Sequence, residues 1–323
     1  MPRLIWKAIL AVVICSWTQM AMAEPRAAGD RTRVAILCSP YRSYREAASA
    51  LQEALEQGGC ECVLIELPKA GDEPARKEAL KRLAEAKPVV IATSGANATS
   101  IVLEAVPNTP VVFFMVHNAL DAAFMANGNP NRARVAGVAA DVSPKDWIDW
   151  IVRLDPYGKR IGVLRSPRTR RTVEALEQAA RHRGVILSVV DVEENGFLKA
   201  IDALNNKDPS SILMTLDPKV YNAATVEHLL VWGIREKKPV WAFSASIVKA
   251  GAFAGLYPQA KAVGRQAAEL VQKVIEGTAP NKLGVQYPRQ VTKAVNDRTA
   301  EMIGVTLSSK ATDERTVRFG AKP

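Results

Sequence analysis

The 323 residues carry a formal charge of +10. That length exceeds one ordinary hydrophobic core and calls for two domains. Past the first two dozen residues no apolar run approaches the roughly 20 residues that a helix needs to cross a bilayer, which excludes a further membrane-spanning helix. Residues 1–23 read as a secretory signal peptide: Arg3 and Lys7 near the start, an apolar run from Ala8 to Trp17 too short to span, and Ala21-Met22-Ala23 as the cleavage site. The mature chain then starts near Glu24 and works outside the cytoplasm. Val13 and Ile14 are too bulky to make Cys15 a lipid-attachment site. Loss of Arg3 and Lys7 with this acid-free leader lowers the charge from +10 to +8. Export argues against a nucleic-acid partner, and Lys and Arg scattered among Glu and Asp read as a solvated basic surface.

Three cysteines follow the leader: Cys38, Cys60 and Cys62. The C-x-C spacing, with only His117, His182 and His228 available, makes a poor zinc site, so no metal is expected. Cys38 and the Cys60/Cys62 pair fall at opposite ends of neighbouring parallel strands, too far apart for a disulfide, and are expected to be small buried hydrophobes.

After a polar linker the chain alternates short apolar strands with helices. Strands are expected at Arg33–Cys38, Val63–Leu67, Pro88–Ala92 and Val111–Val116. Helices are expected at Ser43–Gln57, then to Ala86, and at Ala96–Ala105. A polar loop through Asn127–Asn131 leads to a strand at Val135–Val138. The pattern then restarts with a helix at Ser143–Leu154, with Pro144 in its first turn and Trp147, Ile148 and Ile151 on one face. Strands at Ile161–Leu164, Val185–Val190, Ser211–Leu216, Val240–Phe243, Gly251–Leu256 and Val291–Val295 alternate with helices at Arg171–Arg183, Gly196–Leu204, Tyr221–Arg235 and Gln259–Glu276. A short helix at Asp297–Ile303 follows. Such alternation indicates parallel sheets covered on both faces. The reading is α/β with two doubly wound, Rossmann-like lobes: 31–138 plus 257–287, and 139–256 plus 288–306. Three crossover strands near 137–141, 251–256 and 286–290 form the hinge, and a polar tail at 307–323 is expected to be disordered. Two such lobes face their carboxyl sheet ends across one cleft, which makes a hinged clamp.

Several segments carry a resemblance: Ile91-Ala-Thr-Ser-Gly-Ala96, Lys159-Arg-Ile-Gly-Val-Leu164 with Pro167, Thr215-Leu-Asp-Pro218, Ser246-Ile-Val-Lys-Ala-Gly-Ala252, and Val263-Gly-Arg-Gln-Ala-Ala-Glu-Leu270 with Pro280. In their order and spacing the chain resembles substrate-binding proteins of ABC importers, of the tryptophan/tyrosine type, over about Thr32 to Val305. The resemblance implies the type I periplasmic-binding fold, a periplasmic location, a small-molecule ligand, an integral membrane ABC permease as partner, no cofactor and a monomer.

Ligand contacts are expected in loops at strand ends: Ser39, Tyr41, Ser94, Gly95, Ala96, His117 and Asn118 from the first lobe, and Arg165, Ser166, Asp217, Tyr221 and Ser244 from the second. Ser94-Gly95-Ala96 either offers free helix N–H groups to a carboxylate or is an ordinary N-cap. Asp217 either meets an amino group or caps a turn. Trp147 and Trp150 read as core and surface of one helix, and Trp241 and Phe243 as core. The chain departs from the family at His117-Asn118-Ala119, where the family carries an acidic residue and proline, and at Arg165-Ser-Pro-Arg168-Thr-Arg170-Arg171. Arginines at a helix N-terminus cost roughly 0.3–1 kcal/mol each. They therefore require either a solvated arrangement or an anion, the sharper version being an anionic ligand.

Catalytic signatures are missing: no G-x-S-x-G, G-x-G-x-x-G, P-loop or H-E-x-x-H occurs, and the chain reads as no enzyme. The reading is an importer's binding protein for a small polar or amino-acid-like solute. A sensory binding protein feeding a receptor, or an exported α/β enzyme, is the alternative.

Overall fold

The computed structural model describes residues 31–69, 71–155, 158–193, 195–307 and 312–321. The expected signal peptide lies outside them. Elements follow the chain as β1 (Arg33–Cys38), α1 (Arg42–Gln57), β2 (Glu61–Glu66), α2 (Glu73–Ala86), β3 (Val90–Ser94), α3 (Gly95–Ala105), β4 (Val111–Val116) and β5 (Val135–Ala139). Then come α4 (Pro144–Leu154), β6 (Arg160–Arg165), α5 (Arg170–His182), β7 (Ile186–Asp191), α6 (Phe197–Asn205), β8 (Ser211–Leu213), α7 (Ala223–Arg235), β9 (Val240–Ala242), α8 (Ala245–Ala250) and β10 (Ala254–Pro258). The last stretch holds α9 (Ala260–Ile275), α10 (Pro280–Leu283), β11 (Val285–Gln286), β12 (Val291–Asn296), α11 (Asp297–Ile303) and β13 (Val317–Phe319).

Strands buried on both faces read as continuous apolar runs, and β4, Val-Val-Phe-Phe-Met-Val, is buried at every position. Helix starts are written in side chains. Ser143 accepts the Asp146 amide at 3.1 Å to begin α4, Asn222 accepts that of Thr225 at 3.1 Å to begin α7, and Asp72 accepts that of Ala75 at 3.1 Å to begin α2. α4 presents Ile148 and Ile151, both fully buried, to the second sheet. α1 and α9 cross so closely that a Cβ at Gly264 would fall 2.0 Å from the Ala47 carbonyl oxygen.

Two sheets result, ordered β11-β5-β4-β3-β1-β2 and β13-β12-β10-β9-β8-β6-β7. The first is parallel throughout, and in the second only the β10–β12 pair is antiparallel. Helices cover both faces of each sheet, with apolar clusters between the layers. The chain passes between sheets three times: after β5, after β10 and after β11. The second passage follows Pro258, a few residues beyond the expected Gly251–Leu256. That segment instead ends α8 and forms β10.

The tail departs from expectation. Val317–Phe319 is a strand, β13, registered on β12 from Ala294↔Val317 to Asn296↔Phe319. A free sheet edge offers unpaired N–H and C=O groups to any extended segment, and Arg318–Asp297 and Lys293–Asp313 (3.0 Å) ion pairs fasten this one. Cys38, Cys60 and Cys62 are free thiols. The first two are buried, and Val34↔Cys62 and Cys38↔Glu66 register places Cys38 and Cys62 at opposite strand ends.

Candidate functional site

The carboxyl ends of both sheets meet across a seam. On the first sheet the end of β4 is irregular: pairing with β5 shifts between Phe114 and Val116, and Met115 and Asn118 hold φ of 56° and 47°. Left-handed backbone at non-glycine residues costs of order 1–3 kcal/mol and concentrates at functional sites. Here it redirects His117 and Asn118. Asn118 reaches the second lobe, its Nδ2 donating to the Leu216 carbonyl at 2.6 Å, while its Oδ1 is buried without a hydrogen-bond partner. The His117 Nδ1 is likewise unpartnered, and burial pushes that imidazole down to about 4, so it is neutral at pH 7.

Between the lobes lies a cavity of about 40 Å³ walled by Asn118, Asp141, Trp147, Thr215, Leu216 and Phe243 among others. Asp141 is the one charged side chain among the described residues that line it. Burial pushes its carboxyl up to about 7. The Asn118 and Ala119 amides, which donate to it, oppose that shift, and the charge of Asp121 adds to it. Burial first, and then the same two carboxylates, push the Tyr287 phenol at the third crossover up to about 12.

Next to the cavity the lobes are joined by Asp121. Its Oδ1 accepts the Arg171 amide at 2.8 Å, and its Oδ2 accepts the Thr172 amide at 3.0 Å and the Thr172 hydroxyl at 2.9 Å. The Arg171 guanidinium donates back to the Leu120 and Met125 carbonyls at 2.6 and 3.4 Å. The start of α5 thus receives its anion from the first lobe of the same chain. A carboxylate on free N–H groups offsets the unfavourable helix-dipole energy of the flanking arginines.

The predicted contacts divide into several groups. Of them, Asn118 lines the cavity. Ser39 and Ser94 bind each other, the Ser39 amide donating to Ser94 Oγ at 2.8 Å and its hydroxyl to the Ser94 carbonyl at 3.0 Å. Ser94 therefore caps nothing at α3, where Gly95 at φ 80° packs beneath the Tyr44 ring and Ala96 is exposed. Tyr41 is 61% exposed, and these first-lobe residues stand away from the cavity lining. In the second lobe the buried Asp217 accepts from the Ser166 hydroxyl and from the Lys219 amide at 2.9 Å, so one oxygen ties it to the loop after β6 and the other serves its own loop. Tyr221 is buried with its hydroxyl unpartnered, burial first and then the nearby Asp217 pushing the phenol up. Ser244 caps α8 through the Ile247 amide. Arg165 forks onto Asp191 at 2.6 and 2.9 Å and, with Ser166, lines a separate basic concavity.

Asp141, Trp147 and Phe243 escaped the sequence reading of the site. Trp147, on the buried face of α4, lines the cavity, and Phe243, just after β9, lines it as well. Trp150, expected at the surface, is buried edge-to-face on Trp241 at 6.0 Å. Among the described residues no cluster of His, Cys, Asp and Glu could hold a metal ion, and no helix is long and apolar enough to cross a membrane.

The chain is similar in fold to several solved structures. The structure of an ABC domain from Streptococcus pneumonia in complex with L-Trp matches with a TM-score of 0.59 at 17% identity, covering 89% of this chain and 99% of that one. The ligand-free, open form of a substrate binding protein with adhesive properties from Clostridium difficile matches with a TM-score of 0.67 at 18% identity over 90% and 100%. A conserved domain protein from Vibrio cholerae matches at 0.61 and 21% over 90% and 100%. No curated protein matches the sequence. These likenesses establish the fold, two α/β lobes of the type I periplasmic-binding kind. The ABC transporter substrate binding protein family matches residues 35–315, nearly all of the described chain, and the protein belongs to that family of solute-binding proteins.

Proposed function

We propose that this chain is the periplasmic receptor of an ABC importer, closing its lobes on a small solute that carries an ammonium group and an apolar or aromatic body, and passing it to a membrane permease. One observation carries the ligand class: Asp141 stands in a cavity walled by Trp147 and Phe243 with no cationic side chain among its described lining. A desolvated carboxylate without a counter-charge is costly, and a ligand ammonium supplies that charge. The cavity of about 40 Å³ has room for a few waters rather than a solute, so the lobes must part to admit one. Asp121 on the Arg171 and Thr172 amides and Asp191 on Arg165 supply internal anions near the start of α5, while Arg168 and Arg170 are exposed, so this cluster does not by itself call for an anionic ligand in the cleft.

Thermal-shift measurements with L-tryptophan, L-tyrosine, L-leucine, their N-acetyl derivatives, and citrate or phosphate test the reading. Stabilisation by one or more free amines, lost on acetylation, is the expected result. Stabilisation by citrate or phosphate alone would refute it.

A further inference from the structure

A second concavity, of about 590 Å³, opens on the second lobe alone, where β6, β7 and the loop after β8 end. Arg165, Arg168, Arg170 and Lys219 line it against Asp191 and Glu193, an excess of two positive charges among the described residues. Arg165 is engaged by Asp191. The side chains of Arg168, Arg170 and Lys219 have neither a hydrogen bond nor an ion pair, and Arg168 and Arg170 are exposed. The local backbone offers little to a small anion. Arg168 N donates to Ser166 Oγ, Thr169 N to the Ser166 carbonyl, Val192 N to the Arg165 carbonyl and Lys219 N to Asp217. Recognition here rests on three exposed, unpaired cations, which suits an extended acidic surface better than a compact ion.

The position adds a second argument. Arg168 and Arg170 precede, by one to four residues, the Arg171 and Thr172 amides that Asp121 of the first lobe holds. One short peptide therefore carries outward cations and the inter-lobe seam, so whatever grips the cations is seated where joined and parted lobes differ.

We propose that this basic concavity is the surface by which the second lobe docks on an acidic extracytoplasmic loop of the membrane permease, in register with lobe closure. The proposal rests on the importer reading above. Its test compares the full chain with Arg168→Glu/Arg170→Glu and with a control reversal, Lys77→Glu/Lys81→Glu, on the exposed face of α2. Binding of fluorescein-labelled hexaglutamate is read by anisotropy, inorganic phosphate is the competitor, and the solute panel is run on each variant. Hexaglutamate should bind the native chain and lose about tenfold or more in affinity on the Arg168/Arg170 reversal, with little change in the control and steep weakening by salt. Equal loss in both variants, or no binding, overturns the proposal. Phosphate competing at micromolar concentration overturns it in favour of a free-anion site. If the reversed variant keeps its solute response, any failure concerns docking alone. A native chain that answers no solute fails the importer reading instead.

Discussion

Replacing Asp121 with alanine tests whether the joined lobes are held by the chain itself. The carboxylate accepts three hydrogen bonds across the seam, at 2.8, 3.0 and 2.9 Å, two of them from the first amides of α5. In the parted state water satisfies all four groups, so the relevant quantity is the net exchange. Bonds to charged groups contribute about 1.5–3 kcal/mol when buried, and about 1 kcal/mol is apt for these partly buried partners. The three together then favour the joined state by about 3 kcal/mol, roughly 150-fold in the lobe equilibrium. Asp121→Ala removes that preference without touching either hydrophobic core. Hydrogen exchange at the Arg171 and Thr172 amides should accelerate about 100-fold, and the small-angle scattering profile of the solute-free protein should expand. Thr172→Val, which removes only the hydroxyl bond, should shift the equilibrium by about 1 kcal/mol. Unchanged exchange and scattering in Asp121→Ala would show that the seam is not populated in solution, and the clamp argument built on it would fall.

Two further outcomes follow from the geometry. Asp141, pushed up to about 7 from an ordinary 3.8, holds a proton in the folded chain that the unfolded chain has already released. Its contribution to stability is therefore full below about pH 4 and is lost as pH rises to 7, by up to about 4 kcal/mol before allowance for solvent. Asp141→Asn should flatten that slope in melts at pH 5 and 8, raise stability at pH 8, and weaken an ammonium-bearing solute at least tenfold; equal slopes in both proteins would remove Asp141 from the account. Gly264→Ala places a Cβ 2.0 Å from the Ala47 carbonyl oxygen, and backbone cannot yield as a side chain does. It should cost about 3 kcal/mol in urea unfolding by forcing α1 and α9 apart, and an unchanged midpoint would contradict the close packing of those helices.

How far the sequence discloses the molecule depends on the range of the interactions involved. Strands such as Val111–Val116 are legible because both faces are buried, so the apolar run needs no partner to be recognised. Ser143 and Pro144 announce α4 because a cap acts within one turn. The cavity is not local. Trp147 occupies the same helical face as Ile148 and Ile151 and packs in the same core cluster, and nothing in the spacing says that it also lines a cavity together with Leu216, in the loop after β8. Ser94 looked like a cap and is instead bonded to Ser39, 55 residues away. β13 was hidden because a polar segment becomes a strand only when a neighbouring edge needs pairing. The arginines around α5 lie between these cases. Positive charge crowded on a helix N-terminus is a conflict visible in sequence, and it leaves two outcomes open, a solvated arrangement or a compensating anion. That the anion is Asp121, 50 residues upstream and in the opposite lobe, follows only from the topology that brings both sheet ends to one seam. Local chemistry states a need without saying whether solvent, a ligand or another part of the chain meets it. In the clamp proposed above, parting the lobes would release that internal anion, so the same conflict that looked like a specificity signal would favour closure.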